Sequence, residues 1–119
     1  MAGLEEAVLR PWCADFFARR FAGRLFTFTR ALLSAFTGAG YQPWIVSASP
    51  KWIVEAGAAA LGVTRVIAVD CELEAGRLTT RVKQPVPAGQ GKVALLEAAG
   101  QRPVFAAGNG ALDLPMLEF

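Results

Sequence analysis

Three separated stretches of this chain hold the polar groups that chemistry would need. The first is Trp44-Ile45-Val46-Ser47-Ala48-Ser49-Pro50-Lys51, where an apolar run meets two hydroxyls and a proline. That order reads as a buried strand, Gln42 to Ser47, whose carboxyl end feeds a helix begun at Pro50. Hydroxyls and backbone N–H groups beside a helix start bind anions such as phosphate. Ser49 alone suffices as the helix cap, which leaves Ser47 for an anion.

Lys92 stands near the start of a later helical stretch, where a cation opposes the helix macrodipole. With Gly89 and Gly91 leaving room beside it, its ammonium suits a phosphoryl group; a solvated surface lysine is the alternative. In Gly108-Asn109-Gly110-Ala111-Leu112-Asp113, an amide and a carboxylate lie four positions apart (113 − 109) after an apolar segment. Oxygen donors of that kind suit Mg2+. A hairpin turn at Asn109-Gly110 and a helix cap at Asp113 compete with that reading.

The elements that must position these groups follow an α/β order. Residues 3–22 read as helical, with Pro11 ending or kinking a first turn, and Phe16, Phe17, Phe21 and Leu25 at near-helical spacing. A packing face is the expectation for these aromatics, with substrate contact as the alternative. A second helix runs from Phe26 to Phe36, and a helix from Pro50 to Leu61 presents Ala56, Gly57 and Ala60, small enough to lie close on a sheet. A second strand holds Val66 to Val69, and Arg77 to Val82 returns as the arm of a hairpin. Helix Lys92–Ala99, a third strand Pro103–Ala107 and a short helix at Asp113–Leu117 complete the order, which predicts a mainly parallel sheet.

Bulk properties narrow the function. The chain has 119 residues, room for one ordinary domain. Net charge is +2, from 12 basic and 10 acidic residues, so nucleic acid is not an expected partner. No run approaches the ~18 apolar residues of a membrane span. Histidine is absent and the two cysteines, Cys13 and Cys71, are far apart, which excludes Ser–His, Cys–His and zinc-ribbon chemistry. The N-terminus carries two acids where an export signal would be basic, so a cytoplasmic location is the default expectation. Apolar residues make up 54%, above the roughly 45–50% usual for soluble domains, as if part of the surface expects cover.

Together, Trp44–Pro50, Pro87-Ala88-Gly89-Gln90-Gly91-Lys92 and Gly108–Leu117 resemble motifs II, III and IV of the haloacid dehalogenase (HAD) superfamily. Order and approximate spacing are those of its phosphoserine-phosphatase-like branch. Within that branch the chain looks most similar to phosphorylcholine-phosphatase-like members. The resemblance implies a Rossmann-like core and a Mg2+-dependent hydrolase of small phosphomonoesters. It also implies roles: Ser47 and the Ala48 N–H on the phosphoryl group, Lys92 stabilising its charge, Asn109 as a Mg2+ ligand where most members have Asp, and Asp113 supporting that ligand shell.

The chain also departs from the pattern. It contains only Asp15, Asp70 and Asp113, and no DxDx(T/V) motif to supply the attacking aspartate. It therefore reads as a partial HAD core truncated at both ends, residues 1–30 a remnant of the helical cap and residues 31–119 a core without the nucleophile strand. Such a fragment is expected to be inactive alone, and to self-associate through open strand edges. A non-catalytic phosphate-binding or protein-interaction module is the alternative.

Overall fold

The computed structural model describes residues 2–119. Two β-rich runs pair in parallel: β1 (Trp44–Pro50) with β2 (Arg65–Val69). Between them α3 (Lys51–Leu61) makes the crossover that parallel pairing requires. The chain then turns back on itself as an antiparallel hairpin of β3 (Cys71–Glu74) and β4 (Arg77–Val82). Its two-residue turn, Ala75-Gly76, has positive φ at both positions (50° and 75°), the twist that two-residue hairpins favour.

The N-terminal helix α1 (Glu6–Arg20) lies across α3. Its Leu9 joins Trp52 of α3 and Leu78 of β4 in a buried cluster, flanked by Leu4, Cys13 and Cys71. Trp52 Nε1 donates to Glu6 Oε1 at 3.1 Å, which satisfies the one polar atom of that indole. Just before the helix, the Leu78 N–H donates to Leu4 C=O at 2.8 Å, so the N-terminal segment is laid along β4. After a 3-10 turn at Ala22–Arg24 comes α2 (Thr29–Gly38), which has no buried residue. Helix α4 (Gln90–Ala98) and the short α5 (Leu114–Glu118), entered through a 3-10 turn at Ala111–Asp113, bury Lys92, Leu96 and Met116.

Several expectations change. Pro11 does not end a first turn, because α1 begins at Glu6 and runs on through it to Arg20. Arg10 pairs with Glu6 and Glu55 at 2.8 Å each beside the buried Leu9, and this tertiary anchoring offsets the backbone hydrogen bond that proline removes. Gly57 admits Phe17 of α1, whose ring lies 2.9 Å from where a Cβ would stand, so the small residue brings a helix close.

No strand forms at Pro103–Ala107. A strand exists only where a neighbour completes its ladder, and Val104 and Phe105 are left 82% and 64% exposed. The interval between these residues and β1 is a hollow of about 460 Å3, walled also by Leu32, Leu33 and Phe36 of α2. The parallel sheet among the described residues is accordingly two strands wide. No helix among them is long and apolar enough to cross a membrane.

Candidate functional site

The first loop is shaped by a break in the β1–β2 ladder. Partners run Trp44 with Arg65, Ile45 with Val66 and Val46 with Ile67, and resume only at Pro50 with Val69. Four steps along β1 (50 − 46) thus face two along β2 (69 − 67), so two extra residues bulge outward. Ser47, Ala48 and Ser49 occupy that bulge, the last two exposed. Inside it the Ser49 N–H donates to Ser47 Oγ at 3.1 Å, a local serine turn. Ser49 does not cap α3: Pro50 occupies the cap position and no side chain bonds the first turn.

Lys92 is 5% exposed, the buried charged residue of the core, and not a solvated surface lysine. Its Nζ donates to the Val46 carbonyl at 3.1 Å and to Asp113 Oδ1 at 2.5 Å. One ammonium therefore ties the end of β1 to the loop before α5. A buried ammonium without such partners would be strongly disfavoured, so the pairing explains how a lysine survives there. Gly91 makes the approach of α4 possible: a Cβ at that position would stand 1.8 Å from the Val86 carbonyl oxygen.

Asp113 is the hub of the third loop. Its Oδ1 accepts from Lys92, and its Oδ2 accepts the backbone N–H groups of Asn109 and Gly110 at 3.1 and 3.2 Å. The Lys92 hydrogen bond, opposed by burial and helped by the two N–H groups, holds its carboxyl below the ordinary range. It makes no side-chain cap on α5. No strand follows Gly110, so the hairpin alternative for Asn109-Gly110 is also not adopted. Gly108 packs so tightly on this carboxylate that a Cβ would lie 2.6 Å from it.

Residues 1–118 match the haloacid dehalogenase-like hydrolase family. The chain belongs to that family. Its structure is similar to that of a protein with unknown function from Bordetella pertussis Tohama I, at 25% identity and a TM-score of 0.81, covering 97% of this chain and 56% of that one. It also shares a fold with a HAD family hydrolase from Salmonella enterica subsp. enterica serovar Typhi, at 22% identity and a TM-score of 0.67, covering 98% of this chain and 40% of that one. The chain thus spans about half the length of these two proteins. No curated protein matches it.

Members of the HAD family generally use Mg2+. Asp113 accepts three hydrogen bonds, from Lys92 and from the Asn109 and Gly110 N–H groups, so its carboxylate braces the loop that carries Asn109 and keeps part of its acceptor capacity. Asn109 is exposed and offers one neutral amide oxygen. Among the described residues no three acids, cysteines or histidines gather as a metal cluster. The carboxylate donors that Mg2+ prefers are therefore not assembled by these residues alone.

A second charged cluster lies at the carboxyl end of β2. Asp70 sits between Lys51 Nζ at 2.8 Å and Lys83 Nζ at 2.9 Å. Burial pushes its carboxyl up, but the hydrogen bonds and charge of the two lysines outweigh this and hold it below the ordinary range. Sequence reasoning passed over this group. Its signal was present, since Lys51 opposes a helix macrodipole just as Lys92 does, and Asp70 follows an apolar strand directly.

Proposed function

We propose that this edge binds the phosphoryl group of a small phosphomonoester, as the anion-binding part of a HAD-type phosphomonoester hydrolase. The reading is carried by Lys92, whose buried ammonium is held between Val46 and Asp113, against the bulge that presents Ser47 and Ala48. Three loops from distant parts of the chain thus meet around one positive charge. In that arrangement Ser47 and the Ala48 N–H contact phosphate oxygens, and Lys92 balances their charge. Where the family's Mg2+ binds, Asn109 would be the side chain of this chain that holds it and Asp113 would brace the loop, the ion supplying positive charge to the phosphoryl group. Residues 1–30 cover the edge and select the leaving group, and residues 31–119 hold the phosphate. The unpaired outer edge of β1 is where a neighbouring strand or a second copy would add.

Each aspartate of the chain is engaged: Asp15 with Arg19, Asp70 with two lysines, Asp113 with Lys92. The chain has no DxDx(T/V) motif to supply the attacking aspartate, so it is expected to bind phosphate and not to hydrolyse its esters alone. Calorimetric titration with inorganic phosphate tests the reading. Affinity should fall at least about tenfold, some 1.4 kcal/mol, in Lys92→Met and in Ser47→Ala. Unchanged affinity in both variants would refute it. The missing nucleophile motif also favours a second reading, a non-catalytic phosphate-binding module, which turnover of p-nitrophenyl phosphate by the wild-type chain would exclude.

A further inference from the structure

Helix α1 uses one face against α3 and leaves another uncovered. On the uncovered face Trp12 is 61% exposed, Phe16 50% and Phe21 42%, an unusual cost in apolar surface for a helix already anchored by Leu9. The packing face expected for these aromatics holds for Phe17, which lies on Gly57, and not for Phe16 or Phe21. Phe16 and Phe21 meet edge to face, centroids 5.5 Å apart, so two walls of a recess are already fixed. That recess is a hollow of about 660 Å3 running from Trp12 and Phe16 down to Ser49 and Pro50. Ser49 is the residue whose N–H bonds Ser47 Oγ, so the floor of the hollow adjoins the bulge assigned to phosphate.

The charges at its rim choose among occupants. Asp15 is neutralised by Arg19 at 3.0 Å, and Arg20 adds an unbalanced positive charge. A cationic group would meet aromatic faces but also net positive charge; an uncharged ring gains the aromatic contacts without that repulsion. We infer that this hollow receives the leaving-group alcohol, and that the substrates are phosphate monoesters of uncharged aromatic alcohols. This inference rests on the phosphate reading of the adjoining bulge.

Titration calorimetry with three probes tests it: inorganic phosphate, phenyl phosphate and phosphocholine. Phenyl phosphate should bind at least about tenfold more tightly than inorganic phosphate, and phosphocholine should show no such gain. In Trp12→Ala and in Phe16→Ala the ratio of phenyl phosphate to phosphate affinity should fall toward one. Phosphate binding with no aryl gain, a gain that survives both substitutions, or tighter binding of phosphocholine than of phenyl phosphate would each overturn the inference while leaving the phosphate reading intact. Failure of every probe to bind would overturn the phosphate reading, and this inference with it.

Discussion

Replacing Lys92 by Met keeps most of the apolar stem and deletes the charge that joins two loops. The substitution removes the donors to Asp113 Oδ1 and to the Val46 carbonyl. Breaking a buried ion pair from one side costs about 3–5 kcal/mol, because the remaining charge is stranded. Asp113 keeps its two backbone donors and its side chain is 15% exposed, which softens the penalty. The expected loss is therefore about 2–3 kcal/mol, or on the order of 10 °C in Tm for a domain of this size.

The pH dependence follows from Asp113. Its folded pKa is depressed, first by the Lys92 hydrogen bond. Stability from such a group is fully present above the ordinary carboxylate pKa of about 3.9, and is lost as pH falls through the lower folded value. The difference between wild type and Lys92→Met should thus be complete at pH 7 and narrow below about pH 4. Urea unfolding followed by tryptophan fluorescence at several pH values measures it, and a double-mutant cycle with Asp113→Asn isolates the pair. A loss under about 0.5 kcal/mol at pH 7, with additive effects in the cycle, would show that the pair is not the tie described.

Two further substitutions probe what holds the site in place. Gly91→Ala sets a methyl 1.8 Å from the Val86 carbonyl oxygen, a backbone atom that cannot step aside, so urea unfolding should show a loss of at least about 3 kcal/mol; a wild-type midpoint would mean α4 tolerates a different approach. Leu9→Ala opens a space between Trp52 and Leu78 and should cost about 2–3 kcal/mol by the same measurement, whereas a loss under about 1 kcal/mol would mean α1 is not part of the core.

Much of the architecture was legible because it is local. The apolar run at Trp44, the hairpin arm from Arg77 to Val82 and the helical stretch around Lys92 each declare themselves within a few residues, by periodicity and turn chemistry. The three loops that now meet at Lys92 could be picked out by residue type alone. Less local features were hidden. Nothing in the spacing of Ser47 and Ser49 announces the bulge, since it arises from a mismatch of step count with a strand about twenty residues away. Apolar character suggested a strand at Pro103–Ala107, but a strand needs a bonded neighbour, and that requirement lies outside the segment itself.

What the sequence by itself determined, then, is most of the helices, the first two strands and the hairpin arm in their α/β order, and the chemical inventory: hydroxyls, amide, carboxylate and lysine, with no histidine. Only the tertiary structure decided how those groups are used. It set Lys92 against Asp113 and Val46, occupied both carboxylate oxygens, and left Phe16 and Phe21 facing a hollow instead of a core. The physical reason is that a backbone preference depends on near neighbours in the chain. Burial and charge pairing depend on near neighbours in space, which no short stretch contains.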